Sequence, residues 1–133
     1  SLLRGKVLTP QVSQSANQPG TDVQPYVGIS IDAEDGGNTA LAGVRWATAN
    51  FCLLDGSSCL VLTGEGAGQP RQAKVTQRLG YQLQGAYEPG VYHLQVLTIY
   101  DYAFNLQFLR STKFGGDIDF SAYFPSTTIT IDP

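Results

Sequence analysis

Residues 80–96 read GYQLQGAYEPGVYHLQV, and this stretch decides the fold. Leu79, Tyr81 and Leu83 alternate with polar neighbours as far as Glu88-Pro89-Gly90, and alternation resumes at Tyr92, Leu94 and Val96. Side chains on a strand point to opposite faces with a period of two, so the pattern predicts two half-buried strands joined at a Pro-Gly corner. Proline presets φ at the entry to such a corner, and glycine accepts the positive φ that a type II turn needs next.

The same alternation extends in both directions. Leu2 to Leu8 (LLRGKVL) reads as a first strand, 9–25 as a loop or linker rich in Pro, Gln and Ser, and Tyr26 to Asp32 (YVGISID) as a strand carrying Val27, Ile29 and Ile31 on one face. Ala33 to Asn38 is a turn, Leu41 to Ala47 and Phe51 to Leu62 supply further strands, and Thr63 to Pro70 is a glycine-rich loop. Gln72 to Gln84 and Val91 to Arg110 are the clearest strand signals. The second exceeds a typical strand of about five or six residues, which predicts a bend near Tyr100 to Ala103. Lys113 to Gly116 is a turn, and Asp117 to Phe124 and Thr127 to Asp132 are expected to finish the sheet. Only Thr39 to Thr48 could compete as a short helix. The expectation is one all-β domain over 1–133: an antiparallel β-sandwich of about seven to nine strands, immunoglobulin-like or transthyretin-like.

Composition bounds the function. With 133 residues the chain can close a core without a structural metal. Lys+Arg number 8 against Asp+Glu 11, so the cationic patch that nucleic-acid binding needs is not expected. No apolar run approaches the roughly 20 residues of a membrane span. The chain has no methionine, which predicts that it is a processed chain or a piece of a longer one.

Cys52 and Cys59 flank Leu53-Leu54-Asp55-Gly56-Ser57-Ser58. An Asp55-Gly56 type I′ hairpin sets Leu54 against Ser57, Leu53 against Ser58 and Cys52 against Cys59. Directly opposed residues lie within bridging distance, so a disulfide and an oxidising compartment are predicted.

Three segments together, Leu3 to Val7 (LRGKV), Tyr26 to Asp32 and Leu79 to Val96, resemble the transthyretin-like, carboxypeptidase-regulatory-type β-sandwich domains and the B-repeat domains of Gram-positive collagen adhesins. The sharpest match is Pro89-Gly90-Val91-Tyr92, with Leu3-Gly5-Val7 matching the opening strand. The resemblance implies an accessory, stalk or binding role on a secreted or surface protein. The adhesin repeats carry a lysine–Asn/Asp isopeptide bond, for which Lys6 with Asp132 or Asp119 would be the partners. Gly85 stands where the assisting acid belongs and Glu88 sits beside the turn instead, so that bond is not expected here.

Catalytic chemistry finds little support. His93 is the only histidine, no G-x-S-x-G element accompanies it, and alternation places it on the surface with Gln95. Asp32, Glu34 and Asp35 are weak calcium candidates whose spacing does not follow an EF-hand loop, so no cofactor is expected. Asp117 and Asp119 share one face of a strand. The loop at 63–70 has G-x-G-x-G without the helix and lysine of a phosphate site. Tyr92, Tyr100, Tyr102, Phe104 and Phe108 share a face of an unbroken strand, mostly core. A bulge would turn part of that row outward, leaving Tyr100, Tyr102 and Phe104, with Trp46, as candidate ligand or subunit contacts.

The sequence therefore points to a non-catalytic, exported structural or assembly subunit of pilus, fibre or stalk type. Its expected partners are further subunits, with Leu3, Gly5 and Val7 as a strand for exchange between them. The alternative is an accessory module that binds carbohydrate or protein through exposed aromatic residues.

Overall fold

The computed structural model describes residues 2–13, 26–35, 43–64, 74–83 and 87–133. They form nine strands: β1 (Leu2–Val7), β2 (Gln11–Val12), β3 (Tyr26–Glu34), β4 (Val44–Cys52), β5 (Cys59–Gly64), β6 (Lys74–Gln82), β7 (Gly90–Asp101), β8 (Leu106–Arg110) and β9 (Thr128–Ile131). Two short 3-10 turns, Thr112–Phe114 and Phe120–Ala122, interrupt the path between β8 and β9. The fold is all-β.

The strands make one sheet in the order β1-β3-β6-β5-β4-β7-β9-β2, with β8 also paired to β7. Every pair is antiparallel except β2 with β9, which is parallel, so the sheet is mixed and not purely antiparallel. Strands β1 and β2 stand at opposite ends of that order, yet only Leu8-Thr9-Pro10 separates them. The sheet must therefore curl until its two ends meet. The amides of Leu8 and Thr9 donate to the Gly28 carbonyl, while the Pro10 carbonyl accepts from Thr130. One short strand segment thus leaves β3 and joins β9. Strand β2 lies inside 9–25, where the sequence suggested only a loop.

Alternation fills the curl. Val27, Ile29, Ile31 and Ala33 of β3, Ala47, Ala49 and Phe51 of β4, Leu60 and Leu62 of β5, Leu79 of β6 and Ile129 and Ile131 of β9 all point inward and are buried. β-branched and aromatic side chains suit this half-buried pleated surface.

Strand β7 departs from simple alternation. Asn50 of β4 pairs with Val96 but Phe51 pairs with Leu94, so Gln95 is the extra residue of a bulge. Before it Tyr92 and Leu94 face inward; after it Leu97 and Ile99 do. The parity of the aromatic row therefore breaks, and Tyr100 faces out although Tyr92 faces in. The predicted bend is a full reversal: β7 ends at Asp101 and β8 returns beside it from Leu106.

The same side of β7 carries β9 along Gly90–His93 and β8 along Val96–Tyr100. Between them, residues 112–126 leave the sheet as a strap. Its exit and return are pinned where the Ser111 amide donates to the Gln95 carbonyl at 2.8 Å and the Leu94 amide donates to the Thr127 carbonyl at 2.9 Å. Phe120 and Phe124 of the strap are buried, 6.1 Å apart edge to face. The Tyr123 carbonyl accepts from the Gly5 amide at 2.9 Å, so the strap covers the outer edge of β1. Asp117 to Phe124 is thus not a strand. Its side chains cap turns instead, with Asp119 accepting from the Ser121 amide at 3.0 Å.

Cys52 and Cys59 oppose each other and are bonded, with Cα atoms 4.1 Å apart. The predicted register is present on a different turn. The Gly56 amide donates to the Leu53 carbonyl, so Leu54 and Asp55 are the central residues, and Gly56 alone takes positive φ, at 74°. The Asp55 carboxylate accepts from the Ser57 amide and hydroxyl, favouring this wider loop over a type I′ turn.

Candidate interaction face

Strands β5, β4, β7 and β8 lie side by side, and their outward side chains form cross-strand rows. Trp46, Tyr100 and Leu106 make one row, Thr48, Thr98 and Phe108 the next, and Asn50, Val96 and Arg110 a third. No row contains a carboxylate. Three apolar members are well exposed, Trp46 at 39%, Leu106 at 50% and Phe108 at 68%, while Tyr100 and Val96 are half-buried and Thr98 is buried. The Trp46 and Tyr100 rings lie 5.3 Å apart, inclined at 47°. Arg45 lies 6.0 Å from the ring centre of Tyr102 at the rim of this face, within cation–π range.

The hairpin joining β7 to β8 adds Phe104, which is 82% exposed. Phe104 has φ of 66°, the left-handed region that glycine or asparagine normally occupies, and a bulky side chain there is an outlier. Asp101 holds it. The Asp101 carboxylate accepts from the Ala103 amide at 2.9 Å, the Asn105 amide at 2.8 Å and the Asn105 side-chain amide at 3.0 Å. Burial pulls the Asp101 pKa up, but the bonds from Asn105 and Ala103 outweigh it and the carboxyl titrates below its ordinary value. An anion fixed in the turn thus presents an aromatic ring to solvent at a backbone cost.

The four residues singled out in the sequence, Trp46, Tyr100, Tyr102 and Phe104, therefore belong to one region of the surface. Leu106 and Phe108 complete it. The β7 bulge hid their grouping, although apolar residues at 104, 106 and 108 after a turn signal mark an edge strand with an apolar outer face.

The other candidates fall elsewhere. Leu3, Gly5 and Val7 are in β1; Gly5 and Val7 pair with Ile31 and Ile29 of β3, Leu3 falls at a bulge between Leu2 and Arg4, Val7 is buried, and Phe124 lies against Gly5. Asp32 is engaged by Arg4 and accepts from the Thr76 hydroxyl at 2.6 Å, and these bonds hold its carboxyl below the usual range. Asp35 accepts from the Gly43 amide at 2.8 Å, and Glu34 and Asp35 line a crevice with Asp101. No group of carboxylates, cysteines or histidine among the described residues is arranged to hold a metal ion. Lys6 is exposed on β1, while Asp132 accepts from the Gln11 side chain and Asp119 caps its own turn. The loops 36–42 and 63–70 fall largely outside the described residues, as do most of 9–25 and the part of Thr39 to Thr48 before Gly43. No helix among the described residues is long and apolar enough to cross a membrane.

His93 and Asp101 stand eight positions apart on one strand, about 25 Å, too far for the carboxylate to orient the imidazole. His93 faces outward between Cys52 and Thr128, with its Nδ1 buried and unbonded. Burial, and secondarily Lys113, lowers its pKa. The folded state binds this proton less readily than the unfolded chain, so the stabilisation is complete above the unfolded value of about 6.5 and is lost as pH falls through the lower folded value. The paired carboxylates Asp32, Asp55, Asp101 and Asp119 are also lowered, but they lose their contribution only below an unfolded value of about 3.9. Thermal melts between about pH 7.5 and 5 should therefore show a falling midpoint that His93→Gln flattens; equal slopes in the two proteins would refute this assignment.

No family model, curated protein or solved structure matches this chain.

Proposed function

We propose that this chain is a non-catalytic assembly subunit of an exported or surface structure, built as an immunoglobulin-like sandwich and joined to other subunits through the outer face of β4, β7 and β8. The sandwich reading is supported by the curl of the sheet and by the Tyr92 hydroxyl donating back to the Glu88 carbonyl at 2.7 Å. A tyrosine near the start of the sixth principal strand, bonded to backbone just upstream, marks the corner where immunoglobulin-like chains cross between layers. The Cys52–Cys59 bond is compatible with export.

One observation carries the functional reading: Phe104 is held exposed, in a conformation unfavourable for its side chain, beside the apolar outer rows. Strain and contiguous exposed apolar surface both concentrate where a protein makes contacts. Protein is favoured over sugar as the occupant. The Trp46 and Tyr100 rings are mutually tilted and do not form a shared flat platform, and Leu106 and Phe108 beside them offer no hydrogen bonds to hydroxyl groups.

Phe104→Gly tests this directly. Glycine relieves the left-handed backbone, so the variant should unfold about 1 kcal/mol less readily than the parent. It should also self-associate about tenfold more weakly in sedimentation equilibrium, as should Phe108→Ser. A parent that stays monomeric to millimolar concentration, or variants that associate as it does, would remove the reading.

A further inference from the structure

The outer rows end at β8, and among the described residues β8 is an edge. Bonds from the Ser111 amide to Gln95 and from the Asp101 amide to Asn105 frame the β7–β8 ladder. With the observed register they place the hydrogen-bonded pairs at Leu97/Leu109 and Ile99/Gln107. The backbone N–H and C=O of Leu106 and Phe108 consequently point away from β7, and no partner among the described residues meets them. Only the far end is closed, where the Arg110 carbonyl accepts from the Ile118 amide at 3.0 Å.

The strands at the two ends of the sheet order are protected. Strand β1 is covered by the strap through Tyr123, and β2 is two residues long. Edge strands are commonly guarded by lysine, proline, a bulge or a covering segment; 104–109 (FNLQFL) has no lysine or proline, and no bulge or covering segment is found there among the described residues. An unpaired apolar edge next to an exposed apolar face is a template for strand addition.

We propose that the β8 edge pairs with the β8 edge of a second copy of this chain, antiparallel about a two-fold axis at Gln107. This rests on the assembly reading and names its partner and mode. In that register Leu106 of one copy exchanges both backbone bonds with Phe108 of the other, and the reverse pair forms across the axis. All four outward groups on each copy are satisfied. The axis runs perpendicular to the sheet, so both outer faces lie on one side. The row Trp46-Tyr100-Leu106 then continues into Phe108, Thr98 and Thr48 of the second copy. Phe108 gains an apolar neighbour on its exposed side.

Charge selects the register and the occupant. Arg110 is the only charged residue on β8, and an axis at Arg110 would oppose two cations. Centring on Gln107 sets each Arg110 against Phe104 of the other copy. The rows that meet carry no carboxylate, so nothing on the face repels its own copy. Such an isologous contact closes at a dimer, and the dimer is then the unit from which a larger assembly is built.

Gln107→Cys reads the register. Residues 107 of the two copies would form a non-hydrogen-bonded pair with Cα atoms about 4.5 Å apart, within disulfide reach. Because Cys52 and Cys59 are bonded to each other, the new thiol is the sole free one among the described residues. Most chains of this variant should cross-link as dimers under mild oxidation. Hydrogen exchange by NMR is the second readout: the Leu106 and Phe108 amides should exchange roughly tenfold or more slowly in the associated state. Leu106→Pro should weaken association about tenfold beyond Leu106→Ala, because only proline removes the outward donor.

Association that depends on Phe104 and Phe108, without cross-linking or protection at 106 and 108, overturns edge pairing and leaves face-to-face assembly standing. Growth into open-ended polymers through β8 overturns the two-fold geometry. A strictly monomeric chain at millimolar concentration overturns this inference together with the reading beneath it.

Discussion

Tyr92→Ala should lower the free energy of unfolding by about 3–5 kcal/mol, the usual cost of deleting a large aromatic side chain from a packed core. Tyr92 is fully buried and is among the largest side chains of the interior. Its hydroxyl donates to the Glu88 carbonyl and shares a 2.8 Å hydrogen bond with the Ser58 hydroxyl. Tyr92→Phe separates the two contributions. It keeps the ring and leaves the Glu88 carbonyl and the Ser58 hydroxyl without this partner, at a cost of about 1–3 kcal/mol. Urea unfolding of the three proteins under one set of conditions gives both numbers. A Tyr92→Phe variant as stable as the parent would show that the corner is held by packing alone.

The second large effect lies where the strap meets β1. A methyl group on Gly5 would fall 2.1 Å from the Phe124 ring, and Phe124 is only 2% exposed, so the ring has nowhere to swing. Gly5→Ala should cost about 1–3 kcal/mol through overpacking. Phe124→Ala should cost about 3–5 kcal/mol through the cavity it leaves. The two costs are not independent. With the ring removed, the methyl group at residue 5 meets no obstacle and fills part of the void. The double variant should be more stable than the sum of the single effects implies, by about 1–3 kcal/mol. Additive losses would mean that the strap does not rest on Gly5.

Much of the architecture was legible in the sequence because alternation records burial directly. Val27, Ile29 and Ile31, and likewise Leu60 and Leu62, are inward because every second residue is apolar. The cysteine register was legible for a related reason: two hairpins of different turn type bring Cys52 opposite Cys59, so an error in the turn did not disturb the pairing. The P-G-x-Y pattern at Pro89 to Tyr92 has a physical basis in the Tyr92 hydroxyl reaching back to Glu88.

Other features were beyond local reading. A single extra residue at Gln95 inverts the face of everything after it, and no residue type marks that position. The strap has the composition of a strand, with Ile118, Phe120, Tyr123 and Phe124, but Phe120 and Phe124 are buried without a strand partner. The path from β1 to β2 was hidden because only long-range pairing with β3 and β9 reveals it. The aromatic face followed the same logic: Trp46 and Tyr100 meet through the β4–β7 register, which neither segment encodes alone.

That path from β1 to β2 also governs when the molecule can finish folding. Val12 pairs with Ile131, and the Gln11 side chain bonds the Asp132 carboxylate 121 positions away. During synthesis β2 waits beside an unfilled place until β9 emerges. Until then its apolar residues and backbone groups remain available to chaperones and to other chains. Sheets dominated by such distant pairings are among the slower to form, over about milliseconds to seconds. Arrival of β9 ends that interval by giving β2 its only strand partner among the described residues.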